Sequence, residues 1–143
     1  MKFEADKEKI FFKLSLSKPK YFETIDRSFY TSEDIALLHT LAHKFHSKFH
    51  ETPTLAQMLS LAGSPKVKGK IDEGVIELVY KVDLLQYEEE WLTQTTESWI
   101  KWRNFEGTLM DTIEYIKTAD VSPDNVDSIV SKVKTLINDR NSI

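Results

Sequence analysis

The sequence predicts an all-α protein: a small globular helical bundle over residues 1–85, then a long antiparallel helical hairpin over 86–143, together one continuous domain. Three observations carry this. Four Gly and four Pro in 143 residues leave few turns and long elements. Apolar residues recur at three-four spacing rather than in alternation. Residues 31–63 also spell out a helix, a break and a second helix with start and stop signals.

The first helix is expected from about Ala5 to Ser17, with Ile10, Phe11 and Leu14 as its core face. Pro19 fits the first turn of a second helix, PKYFETIDRSF, because its missing N–H has no partner there anyway. Tyr21, Phe22, Ile25 and Phe29 form its apolar side. Thr31 and Asp34 give a capping signature for a third helix. Ile35, Leu38, Leu41, Ala42, Phe45 and Phe49 are its buried stripe. Pro53 then pushes Thr52 out of the α region. Thr54 and Gln57 form a capping box for the fourth helix, and Gly63 is expected to end it in a left-handed conformation. Residues 64–70 read as an exposed loop.

From Ile71 to Leu85 helical spacing fits better than alternation, although VIELVYKV has some strand character. Glu88-Glu89-Glu90 opens the longest helix, where acids meet the positive end of the helix dipole. A heptad-like series follows: Leu92, Thr95, Trp99, Trp102, Glu106, Leu109, Ile113 and Ile116. At 1.5 Å per residue such a helix spans about 45 Å. It ends between Asp120 and Ser122. Ser122-Pro123-Asp124 starts a last helix carrying Val126, Ile129, Val130, Val133, Leu136 and Ile137, which is expected to fold back on the long one.

Composition narrows the function. There is no Cys, which excludes disulfides, thiolate chemistry and Zn–Cys sites. No apolar run is long enough to span a bilayer, and MKFEADKEKIFF carries charges where a signal peptide needs an apolar core. The net charge of −4 is uneven: residues 1–50 hold nine basic against seven acidic residues, and residues 51–143 ten against sixteen. The acidic part repels a phosphate backbone. Lys18-Pro19-Lys20 and Lys66-Val67-Lys68-Gly69-Lys70 read as solvated loop charges, so DNA binding by this chain alone is not expected.

Little catalytic chemistry is on offer. Gly63, Gly69, Gly74 and Gly107 make neither a dinucleotide fingerprint nor a Walker loop, and no nucleophile elbow occurs. The acids at 88–90 and at Asp124 and Asp127 are explained as helix N-terminal charges. No catalytic residue, cofactor or metal is therefore expected. The nearest to a metal motif is His39, His43, His46 and His50, four imidazoles within about 60° of one helix face. Their spacing suits two ligands of one ion. That sector holds no Asp or Glu, and HExxH is absent, so a polar stripe beside the core is the simpler reading. A pH-sensitive contact surface is a third.

The aromatic set of the long helix is the best surface candidate. Trp91, Trp99, Trp102, Phe105 and Tyr115 exceed what one side of a two-helix hairpin covers. Core packing explains any single Trp; the set favours at least one anchor buried only on self-association. The expected interface is Trp99, Trp102, Leu109, Ile113, Ile116, Val133 and Ile137.

The chain also resembles a known family. The residues that carry this are Ile10-Phe11-Phe12-Lys13-Leu14, Pro19-Lys20-Tyr21-Phe22, Ile25 and Phe29, then Glu33-Asp34-Ile35 through Leu38 and Phe45 to Pro53-Thr54, Leu55, Met58 and Leu59. Later come Trp91-Leu92, Glu97-Ser98-Trp99, the run into Ile113 and Ile116, and the helix from Ser122 to Ile137. This layout resembles the N-terminal domain of DnaB-type replicative DNA helicases, above all the divergent versions of tailed bacteriophages. It is a pattern of apolar positions with one Pro-Thr, over most of the chain, without a catalytic signature.

The resemblance implies a helical bundle with a hairpin that pairs between protomers and helps a ring assemble. It implies contact with primase or a helicase loader, in the cytoplasm of a bacterium or a phage-infected host. It places the ATPase motor C-terminal to such a domain, about where this chain reaches Ile143. The chain is then either a domain cut from a helicase or a stand-alone relative. The competing reading is a small helical regulator, of phage or bacterium, that binds a protein or DNA. A helix-turn-helix at His50–Thr54 is disfavoured, because Leu55–Ala62 carries no Arg or Lys to reach bases.

Overall fold

The computed structural model describes residues 5–140, and side chains from residue 6 to 138. It is all-α. Seven α-helices and three short 3-10 turns, joined by loops, occur among the described residues, with no strand. The helices are α1 Glu8–Ser17, α2 Pro19–Thr24, α3 Glu33–Phe49, α4 Leu55–Ala62, α5 Glu73–Tyr80, α6 Glu89–Thr118 and α7 Val126–Arg140. The chain divides into two compact units, Met1–Leu92 and Thr93–Ile143, so the first turn of α6 belongs to the first unit.

The first unit is built on α1. Its Phe11, Phe12 and Leu14 are almost wholly buried, with Leu38 and Ala42 of α3, Met58 of α4 and Ile76 and Val79 of α5. α1 packs on α2, α3 and α5, and α4 on α3 and α5. Burying five to ten such side chains supplies most of the drive to fold, at about 1.5–3 kcal/mol each before conformational entropy is counted.

Several helix ends differ from expectation. The second helix stops at Thr24 rather than continuing to Phe29. Asp26 accepts from the backbone and hydroxyl of Ser28, and this local turn starts a separate 3-10 turn at Arg27–Phe29. The cap of α3 is Ser32, not Thr31: its oxygen accepts from Ile35 N at 3.4 Å, while the Thr31 hydroxyl is engaged elsewhere. The Thr54–Gln57 capping box forms as predicted, with bonds of 2.9 and 3.3 Å. Gly63 is not left-handed, since its φ is −84°. The left-handed positions are Gly69 (φ 84°) and His50 (φ 61°), which ends α3. The segment Ile71–Leu85 is helical only over Glu73–Tyr80. Asp72 caps its start by accepting from Gly74 N, and a second Asx cap at Asp83 begins a 3-10 turn at Leu84–Gln86.

In the second unit α6 and α7 run antiparallel, joined through residues 119–125. Asn125 closes the joint: its side-chain oxygen accepts from Ser122 N at 2.7 Å and its NH2 donates to Asp120 O at 2.9 Å. Lys132 Nζ of α7 lies 4.6 Å from the centre of the Tyr115 ring of α6. The buried face of α6 here is a threonine stripe. Thr108 and Thr112 are 2% and 3% exposed, and each hydroxyl donates to the carbonyl four residues back. Their polar atoms are satisfied inside the helix, so the two side chains can be buried at little cost.

Candidate functional site

The heptad series of α6 divides between inside and outside. Leu92 and Trp99 are buried, as are Thr96 and Ile100. From Trp102 on, the apolar members of the series face water: Trp102 is 49% exposed, Leu109 42%, Ile113 42% and Ile116 53%. At 100° per residue these four lie within about 60° of one another, roughly 100° round from the Thr108–Thr112–Tyr115 face. Of the residues expected at a self-association surface, Trp102, Leu109, Ile113 and Ile116 are exposed, whereas Trp99 is wholly buried within the chain and is not available to a partner. The short threonines are the buried positions there, and the larger aliphatics are exposed. Val133 and Ile137 of α7 are half-buried, whereas Val126 and Val130 are exposed. Met110, which the seam pattern does not include, is 69% exposed. Trp102 stands beside Phe105 on α6, with ring centres 6.0 Å apart.

The four histidines form a graded stack rather than a metal cage. His39 is buried, His43 and His46 are half-buried and His50 is exposed. The His43 ring stacks on Phe22 at 3.9 Å and nearly parallel, and also lies 4.1 Å from His39. His46 leans on the same Phe22, and His39 on Tyr30. The imidazoles thus fill the space between α3 and the α2–Tyr30 segment. Among the described residues no three His, Asp or Glu side chains come together as ligands for an ion.

Burial pushes the His39 imidazole down to about 4, helped by neighbouring His43 and opposed by Asp26. Burial and His46 lower His43 too. Both histidines therefore bind protons more weakly in the folded chain than in the unfolded one. Their contribution to stability is complete above the unfolded value of 6.5 and is lost as pH falls through 6.5 toward about 4. Taking the protein from pH 7 to pH 5 should cost on the order of 1–2 kcal/mol after screening by solvent. Thermal melts at the two pH values check this, and His39→Leu should flatten most of the difference.

Two features carried no clear mark in the sequence. Glu8 is 1% exposed, and its carboxylate accepts four bonds at the entrance to α3. Thr31 N reaches both oxygens at 2.9 and 3.0 Å, Thr31 Oγ1 donates at 2.7 Å and Ser32 N at 3.0 Å. A lone Glu in the first turn of a helix has the look of a dipole acid, so only the fold reveals this tie between α1 and α3. The second feature is Leu85, 94% exposed and two residues before Tyr87, whose ring stacks on Trp91 with centres 5.1 Å apart; of these three the sequence singles out Trp91 alone as a surface candidate.

An open depression of about 730 Å³ lies at the start of α3, lined by Asp26, Glu33 and Asp34 together with Arg27 and Lys70. Its charges are of both signs, and Arg27 is already bonded to Thr40 Oγ1 at 2.7 Å, so it favours no class of ligand. None of the helices among the described residues is long and apolar enough to cross a membrane. Comparison of the chain with protein-family models, with curated proteins and with solved structures finds no match.

Proposed function

We propose that this chain is a non-catalytic assembly and partner-docking domain that associates with itself through the outer face of its hairpin. The single observation behind this is the apolar stripe Trp102, Leu109, Ile113 and Ile116, four large side chains in a row with 42–53% of their surface in water. These four leave on the order of 400 Å² of surface exposed along one helix face, the size of patch that is often functional on a monomer. A second copy is the natural cover, because a two-fold contact sets the same stripe on both partners.

The biological setting we propose rests on the resemblance in apolar pattern and on an all-helical fold with a bundle and a hairpin. It is the N-terminal domain of a DnaB-type replicative helicase of a phage or a bacterium, meeting primase or a helicase loader in the cytoplasm. The second reading, a helical regulator acting without a motor, has the same stripe in its favour and differs only in what the dimer serves. In either case the pure chain should hydrolyse no ATP and unwind no duplex, since its sequence has no phosphate loop. Light scattering behind size exclusion tests the assembly reading: the average mass should climb from 16.6 kDa toward twice that value as the load increases. A mass that stays at the monomer value at every load would refute it.

A further inference from the structure

The first unit carries an apolar patch of its own, independent of the hairpin stripe. Leu85 stands almost fully in water on the 3-10 turn Leu84–Gln86. Two residues on, Tyr87 stacks on Trp91, with 21° between the ring planes, and Trp91 keeps 37% of its surface exposed. One exposed leucine is ordinary. A leucine beside a paired Tyr and Trp is not, because these two are the preferred anchors of protein interfaces and lose little side-chain entropy on docking.

Acidic residues dominate the sequence around this patch, and Lys18 is a cation that the structure places beside it. Between Lys81 and Lys101 the chain has no Lys or Arg, and Asp83, Glu88, Glu89 and Glu90 all lie within a few residues of the anchors. Glu89 reaches Lys18 only at 3.9 Å, with 87% of its side chain exposed, so that contact hardly neutralises the rim. Dipole stabilisation accounts for acids in the first turn of α6 but not for the apolar anchors set among them.

We propose that Leu85, Tyr87 and Trp91 form a docking surface for a basic amphipathic helix of a partner protein. The apolar anchors take the apolar stripe of that helix, and its Lys or Arg residues meet the acidic rim. Charge selects this occupant. Nucleic acids and anionic lipid surfaces are repelled by the same carboxylates. A small cation would need no leucine or tryptophan. An extended peptide would seek a sheet edge, and no strand occurs among the described residues, which leaves the helix-in-groove mode. The surface goes beyond the self-association reading and does not depend on it.

The test is fluorescence anisotropy with two labelled helical peptides of one apolar pattern, Leu and Phe at three-four spacing. In one the polar positions are Lys and Arg; in the other they are Glu. Ile113→Glu protein is used alongside the native chain, so that any self-association is taken out of the measurement. The basic peptide should bind with a Kd on the order of 10–100 µM, more weakly as salt is raised, and the acidic peptide should not bind. Leu85→Asp and Trp91→Ala should each weaken binding at least roughly tenfold. Leu85 is so exposed that its variant keeps the fold, which a melting curve verifies. Reversing Glu88 and Glu89 to Lys should shift preference toward the acidic peptide. Equal binding of both peptides, no binding at millimolar concentration, or basic-peptide binding untouched by Leu85→Asp would each overturn the proposal. The last result would mean charge attraction without a docking site.

Discussion

Glu8→Ala is expected to destabilise the protein by about 4 kcal/mol, the largest effect of any single polar substitution proposed for this chain. The wild-type carboxylate satisfies three donors, Thr31 N, Thr31 Oγ1 and Ser32 N, in a setting where Glu8 is 1% exposed. Alanine leaves those donors facing a gap, and each unsatisfied buried donor costs about 1–3 kcal/mol. It also removes the only charge-assisted bonds described between the start of α1 and the entrance of α3. For a chain of this length a melt followed by circular dichroism should fall by roughly 10–15 °C. Glu8→Gln makes the argument specific. The amide keeps the volume and one acceptor, but turns NH2 toward groups that are themselves donors, so about half the loss should remain. A Gln variant as stable as wild type would mean that shape, not acceptance of hydrogen bonds, is what Glu8 supplies.

Ile113→Glu is expected to leave the fold intact and to weaken self-association by about a hundredfold. Ile113 sits in the middle of the exposed stripe, between Leu109 and Ile116, and is already 42% in water. Placing a carboxylate there costs the folded monomer little. In a two-fold contact the substitution is present twice, and each copy would be desolvated against apolar neighbours. A loss of roughly 2–3 kcal/mol, the size of an interface hot spot, corresponds to about that hundredfold. Thr112→Val one position earlier is the informative contrast. Thr112 is 3% exposed on the inner face, so its substitution should change the melting temperature rather than the association.

The helical class was legible because the relevant signals are local. Three-four spacing of Ile35, Leu38, Leu41, Ala42, Phe45 and Phe49 marks a stripe whose first four residues are buried, whereas Phe45 is half-buried and Phe49, at the helix end, is 52% exposed. The Thr54–Gln57 box is a reciprocal pair within four residues and formed as read. What was not legible depends on neighbours distant in sequence. The cap of α3 moved from Thr31 to Ser32 because Glu8, more than twenty residues away, takes the Thr31 hydroxyl. The left-handed stop was sought at Gly63, where glycine makes it cheap, but occurs at His50, where the chain must turn before Pro53.

The hairpin gives the same lesson about faces. Apolar periodicity located α6 and marked Trp102, Leu109, Ile113 and Ile116 as one side, which is exposed, but it did not show that Trp99, Thr108 and Thr112 would be the buried positions. Thr108 and Thr112 do not read as core from sequence, since threonine is usually exposed. Their hydroxyls bond to carbonyls of their own helix, which removes the cost of burying them and frees the aliphatic stripe for the outside. The spacing of the histidine cluster marked a polar stripe beside the core, and ring stacking of His43 on Phe22 and of His39 on Tyr30 shows what that stripe packs against.

The central claim, that the outer stripe of the hairpin is a self-association surface, is tested most directly by sedimentation equilibrium on the native chain and Ile113→Glu side by side, from about 10 µM to about 1 mM. The native chain should shift from monomer toward dimer across that range, and Ile113→Glu should remain monomeric throughout. A native chain that stays strictly monomeric at the highest concentration, or a variant that dimerises as readily as the native chain, would contradict the account.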